Sequence, residues 1–417
     1  MLMMSINDNS TPVVVLNALH QGGVGITRTL GRLGVPVYNV APDAFTPALS
    51  SRYCQKRLIW DIDNVSVEES VRYLLGIAHS IGRRPLLIAS ADDSAAVFVA
   101  QNAEKLRQGF VFPQQNSELV ELLYSKKQMY YLARKFNVAT AETAFPQSRG
   151  DVLNFLKTAG FPIMLKGIDG TRLKKRTGIK MLVVHNEREL LESYDSMEDP
   201  RDPNLMLQEY IPGGDDTVWM FNGYFNERSE CLVSFTGKKI RQSPVYTGST
   251  SLGICLKNEI VEKTTKEFMK ALGYKGVLDI GYRYDARDGS YKLLDVNPRI
   301  GATFRLFVAE NGMDVVRALY LDLTGQSVTP APTRQGRKWI VEDRDLASCL
   351  CYRRDGKLSL REWLRSLRGI EEAAFFSLDD PLPVLAMCLT DARKLLTRVF
   401  HTTRQQGVGR LSPSRIV

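Results

Sequence analysis

Apolar positions in the first third of the chain fall into short runs with polar breaks between them. "PVVVLNA" is β-branched and continuous, the texture of a parallel strand buried on both faces. "LHQGGVG" follows, then "ITRTLGRLG", whose apolar residues recur at helical spacing, and "VPVYNVAP" reads as the next strand. Strand, glycine loop, helix and strand make a βαβ unit. "PLLIASADD" repeats the strand-then-acid pattern before the helix-like "SAAVFVAQNAEKL". Residues 1–120 are therefore expected to form one α/β domain.

The rhythm then changes. "SKKQMYYLARKFN" and "VLNFLKTAG" carry helical patterns, and "FPIMLKG" and "LMLQEYI" read as strands. Between those strands "DGTRLKKRTGIKMLVV" reads as a glycine-flanked basic loop returning into a strand. "TVWMFNGYFN" and "CLVSFTGKKI" look antiparallel, and "GVLDIGYRYD-ARDGS-YKLLDVN" predicts a hairpin around an Asp-Gly turn. Residues 121–326 are expected to be an α+β domain. "SVTPAPTRQGR", residues 327–337, reads as a linker, and residues 338–417 as a C-terminal appendage.

Composition narrows the class. A chain of 417 residues suits two or three domains, and the net charge of +9 invites an anionic partner. The basic residues are dispersed, so nucleic acid is not expected. The six cysteines lack zinc spacing, and reduced thiols in the cytoplasm are the expectation. Four scattered histidines argue against a histidine metal centre. The start lacks the pattern of a secretory signal, and no run approaches the roughly 20 apolar residues of a membrane span.

Candidate chemistry concentrates in the hairpin. By the period of two, Val277, Asp279, Gly281 and Arg283 share one face of its first strand. Leu293, Asp295 and Asn297 share a face of the return strand. If the register sets those faces on the same side, Asp279, Asp295 and Asn297 converge. Hard oxygen donors of this kind hold magnesium, with phosphates completing its shell. Arg299, just beyond, can reach a phosphate with its planar fork. The plain alternative is a solvated hairpin with surface acids.

The run "LLDVNPR" after an apolar strand resembles the second element of the ATP-grasp superfamily signature, Glu/Asp-x-Asn-Pro-Arg. Other segments match in order. "SKKQMYYLARKFN" resembles the segment with a nucleotide-contacting lysine, here Lys126. "FPIMLKG" resembles the strand with a second lysine, Lys166. "DGTRLKKRTGIK" looks like the family's mobile loop over the phosphates, with Gly170, Gly178, Arg172, Lys174 and Lys175 as candidate contacts; a solvated basic loop is its plain alternative. "LMLQEYIPGGDD" resembles the adenine hinge. The resemblance implies backbone contacts from Glu209 and Tyr210, packing by Ile211 and ribose binding by Asp216. Lys238, Lys239 and Arg241 stand where the family places charge near the transferring phosphate. Asp92 and Asp93 are candidates for gripping an amine, or for capping a helix.

The implied fold is ATP-grasp, and the implied activity is that of a carboxylate–amine ligase of the D-aspartate-ligase-like type. ATP would convert a carboxylate to an acyl phosphate, and an amine would displace phosphate. ATP and magnesium are the implied cofactors, with manganese as an alternative ion. One departure stands out: Gly281 occupies the usual place of the first acid, with Asp279 two residues earlier as a substitute. That departure keeps open a nucleotide-binding regulatory or scaffold protein, beside ATP-grasp ligases with other acceptors. A homodimer also stays open.

The appendage ends in "PVLAMCLTDARKLLTRVF", where Leu385, Cys388, Leu389, Ala392, Leu395, Leu396 and Val399 recur at helical spacing and Arg393, Lys394 and Arg398 lie off that stripe. Such a helix either docks on its own domain or lies on an anionic membrane. The residues from Thr402 onward are expected to fray.

Overall fold

The computed structural model describes residues 6–402, with side chains as far as Arg393. The expectations for Lys394, Leu395, Leu396, Arg398 and Val399 fall outside the described side chains, and those for the end of the chain outside the described residues.

The first sheet is parallel and ordered β3-β2-β1-β4, with β1 (Val13–Leu16), β2 (Val37–Ala41), β3 (Cys54–Ile59) and β4 (Leu86–Ala89). β1 is central and wholly buried, which its unbroken β-branched run requires. β3 closes one edge with the exposed charges Lys56 and Arg57, which discourage pairing with another chain. The expected α/β unit is present.

A small antiparallel sheet follows, ordered β5-β8-β6-β7: β5 (Thr143–Ala144), β6 (Ile163–Gly167), β7 (Met181–Val184) and β8 (Leu205–Glu209). The segment expected to be a phosphate-covering loop is instead a helix, Gly170–Thr177. Asp169 caps it by accepting from the N–H groups of Thr171 and Arg172, and Gly178 ends it at a positive φ of 82°. Leu173 anchors this helix in the core of the small lobe.

The large sheet has the order β13-β12-β9-β10-β11-β14-β15. It contains β9 (Val218–Phe225), β10 (Cys231–Ser243), β11 (Ser249–Cys255), β12 (Gly276–Asp285) and β13 (Ser290–Asn297). The last two strands, β14 (Lys338–Ile340) and β15 (Ile370–Ala373), come from the segment read as an appendage. That segment is built into the sheet.

One core also crosses the expected boundaries. It runs from Val13 and Ile88 through Phe304 and Phe307 to Trp339 and Phe375. Buried ion pairs stitch the same regions together. Arg28 meets Asp380 at 2.9 Å, Arg241 meets Asp345 at 2.9 Å, and Arg305 meets Asp314 at 2.5 Å. The helix Leu382–Thr402 lies against the Pro47–Ser50 segment, with the Thr390 hydroxyl donating to Phe45 O at 3.2 Å. Among the described residues no helix is long and apolar enough to cross a membrane.

Candidate active site

The period of two sorts the large sheet into two faces. Phe221, Leu278, Ile280 and Tyr282 pack beneath it. On the other face Asn222 of β9, Asp279 of β12 and Asn297 of β13 stand abreast, because Asn222 pairs with Asp279 and Asp279 with Asn297. In the next row Met220, Gly281 and Asp295 are aligned. The three predicted oxygen donors therefore do converge. A β-bulge just below this row sets Leu293 opposite Tyr282, in the core. Leu293 thus leaves the face that simple alternation gave it.

The cluster is tightly walled. The Asn222 amide donates to Asp279 Oδ1 at 2.7 Å, and Asn297 Nδ2 lies 3.5 Å from Asp279 Oδ2 and 3.3 Å from Asp295 Oδ2. A Cβ at residue 281 would collide with Asp295 Oδ1, and one at 301 would come within 2.5 Å of the Asp279 carboxyl carbon. Gly281 is thus the opening into which Asp295 leans. Burial, reinforced by Asp295, pushes the Asp279 carboxyl up to about 6, against the pull of Arg299, Lys239 and Asn222.

Three lysines face these acids. Lys126 opens the helix Lys126–Lys135, and its Nζ donates to Gly167 O at 2.9 Å. Lys166 lies near the end of β6, where burial and the adjacent Lys126 push it down to about 8. Lys239 is on β10. Burial lowers its pKa, while Asp295, Asp279 and Asp215 act on it in the opposite sense. Its Nζ donates to Gly248 O at 2.8 Å. Three ammonium groups against two carboxylates leave a surplus of positive charge, suited to a polyphosphate.

Among the described residues no group of three His, Cys, Asp or Glu side chains is placed to hold a metal. The donor set is mixed instead. Two carboxylates stand beside two asparagines, and the Asn222 Oδ1 atom is buried with no hydrogen-bond partner. Hard oxygen donors beside an unpartnered buried oxygen fit a divalent cation whose shell a phosphate completes.

No protein-family model matches the chain. It is 24% identical over 328 residues to the D-aspartate ligase of Enterococcus faecium (strain Aus0004), covering 76% of this chain and 77% of that protein. Among solved structures it resembles N5-carboxyaminoimidazole synthetase from Staphylococcus aureus complexed with ADP. There the TM-score is 0.59 at 11% identity, covering 80% of this chain and 82% of the other. It also resembles the L-amino acid ligase from Bacillus licheniformis, with a TM-score of 0.57 at 15% identity and 78% and 79% coverage. The chain has the ATP-grasp fold. The resemblance drawn from "LLDVNPR", ATP-grasp of the carboxylate–amine ligase type, is the one these relatives return.

Within the ATP-grasp frame several expected contacts move. Lys238 points to the opposite face of β10, its Nζ 4.8 Å from the centre of the Trp219 ring. Arg241 is buried and bidentate to Asp345, with a further bond of 2.7 Å to Ser366. Of this trio it is Lys239 on which the charges of Asp279 and Asp295 act. Arg172 bonds Asp202, while Gly170 lies beside Lys126. In the expected hinge, the Glu209 N–H donates to Glu142 O and the Tyr210 N–H to Pro162 O. The Glu209 carboxylate is held by Arg287 at 2.5 Å. Ile211 is buried and Asp216 is exposed. Asp215 is instead occupied by Gln242 and Tyr352.

Of the two acids after β4, one takes the capping role and the other an ion pair that was not foreseen. Asp92 caps the helix Asp93–Gln101, whereas Asp93 reaches Arg299 Nε at 2.5 Å. Arg299 thereby links the large lobe to the first domain. Close by, the helix after β1, His20–Gly31, packs Gly22 against Ala91 and Ala302. Asn17 and Gln21, only 1% and 2% exposed, carry amide atoms with no hydrogen-bond partner there. Asn222, Asn17 and Gln21 were not singled out from sequence. A lone asparagine inside the apolar "TVWMFNGYF" was the one available signal.

Proposed function

We propose that this protein is an ATP-dependent ligase that joins a carboxylate to an amine through an acyl phosphate, releasing ADP and phosphate. The observation that carries the reading is the meeting of Asp279, Asp295 and Asn297 with Lys126, Lys166 and Lys239 on one face. A carboxylate is a poor electrophile because its charge repels nucleophiles and oxide leaves badly. Phosphorylation removes both obstacles, so the protein's task is positioning and charge neutralisation.

In this reading Lys166 neutralises the nucleotide phosphates from the small lobe, Lys126 from the helix packed beneath the large sheet, and Lys239 from that sheet. Asp279, Asp295 and Asn297 would hold magnesium, with Asn222 as a supporting oxygen. When bound, magnesium supplies charge neutralisation at the phosphates. Glu209, Tyr210 and Ile211 would border the base, and Asp216 the ribose. Arg299 holds the carboxylate and then the acyl phosphate by its guanidinium fork. Asp93, in contact with Arg299, marks the side from which an amine would enter. The unpartnered amides of Asn17 and Gln21 are suited to the rest of that substrate.

The name of the Enterococcus relative makes D-aspartate the first carboxylate to try. The protein would be incubated with magnesium-ATP, carboxyl-18O D-aspartate and pooled amines. Transfer of 18O into inorganic phosphate, dependent on an amine for turnover, is the expected result. Label that ends in AMP would mean adenylation and would overturn the acyl-phosphate reading.

A further inference from the structure

Large apolar side chains are unevenly distributed over the surface. Of the seventeen that are exposed among the described residues, nine lie between residues 342 and 393. They form stripes. Leu346 and Leu350 are one turn apart on the helix Glu342–Arg354, and Leu360 and Leu364 are one turn apart on Leu360–Ser366. The helix Leu382–Thr402 buries Met387 against the first domain and turns Leu382, Leu385 and Leu389 outward. Of the stripe expected from sequence, the described members Leu385, Cys388, Leu389 and Ala392 are all exposed.

These elements adjoin one another. Trp363 Nε1 donates to Asp345 Oδ2 at 2.9 Å, joining the first two helices. Glu342 accepts from the N–H groups of Phe375 and Phe376, and Asp391 lies close enough to Asp343 to act on its charge. Between residues 342 and 393, seven exposed Lys or Arg residues stand against three exposed Asp or Glu. Arg361 and Arg365 flank Leu364.

We infer that this face docks on an anionic lipid bilayer. Leucines interspersed with arginines suit the bilayer interface. The apolar tips enter the acyl boundary while the guanidinium groups extend to headgroup phosphates. A second copy of the chain is the poorer occupant, because a twofold contact would set a net positive face, seven cations with three acids, against its like. The inference is independent of the proposed ligase activity.

The test is co-sedimentation of the full chain with two kinds of vesicle. One is phosphatidylcholine alone, and the other contains about one-third phosphatidylglycerol. Anionic vesicles should bind at least roughly tenfold more protein, and the excess should fall as salt rises. Leu385→Glu with Leu389→Glu, and separately Arg361→Glu with Arg365→Glu, should bring binding down to the phosphatidylcholine level while ADP affinity is unchanged. Equal sedimentation with both vesicles would overturn the inference. So would a dimer in solution that the leucine double variant dissolves, since the face would then belong to a second copy.

Discussion

At the scale of single residues, charge balance decides what each group can do. Asp279 is raised to about 6 and Lys166 lowered to about 8, so both carry their charge only between those values. Magnesium-nucleotide affinity of the free protein should therefore peak between about pH 6 and pH 8 and fall on either side. Asp279→Asn should abolish the acid limb along with most of the affinity, and calorimetric titration across pH would check both. The linkage sign gives a second consequence. A carboxyl raised in the folded state holds more protons there than in the unfolded chain, so its contribution to stability is lost as pH climbs through about 6. Asp279→Asn should thus raise the melting temperature of the ligand-free protein at neutral pH even as it removes nucleotide binding. Alternation separates the two lysines of β10, and a β-bulge lies between Lys239 and Arg241. Lys239→Ala should cost at least about tenfold in ADP affinity, and Lys238→Ala little. Arg241→Ala should instead destabilise the fold by about 3–5 kcal/mol, because it strands the buried Asp345 carboxylate. Sequence could not make that separation, since Asp345 lies 104 residues away from Arg241 and no local pattern joins them.

At the scale of elements, what could be read in the sequence was what local periodicity controls. The hairpin of β12 and β13 and the meeting of Asp279 with Asn297 followed from alternation and an Asp-Gly turn. The bulge that turns Leu293 into the core had no counterpart in the pattern. The helix Gly170–Thr177 did have its signals, an Asp cap and a closing Gly178, but its basic composition resembled a loop. Glycine positions make the register testable. Gly281→Ala inserts a methyl where Asp295 Oδ1 stands, and Gly301→Ala presses on the Asp279 carboxyl. Either substitution should weaken magnesium-ADP binding at least about tenfold while melting temperature changes little, a dissociation that differential scanning and titration calorimetry would detect together.

At the scale of the whole molecule, the C-terminal segment is a structural part of the large sheet. It contributes β14, β15 and the acids that neutralise Arg28, Arg241 and Arg305. A chain ending at residue 337 would leave those arginines buried with acids missing and β11 with an open edge. It should fail to give a cooperative urea transition by circular dichroism. The linker-like composition of residues 327–337 hid this, because a proline-rich connection says nothing about where the following strand docks. The central claim rests on the meeting of Asp279, Asp295 and Asn297 with Lys126, Lys166 and Lys239. The most direct test is phosphorus NMR of the protein with magnesium-ATP and pooled carboxylic acids and amines, beside an Asp295→Asn variant. ADP and phosphate that form only when both pools are present, and that vanish in the variant, are the expected outcome. AMP and pyrophosphate, or ADP formation unaffected by Asp295→Asn, would contradict it.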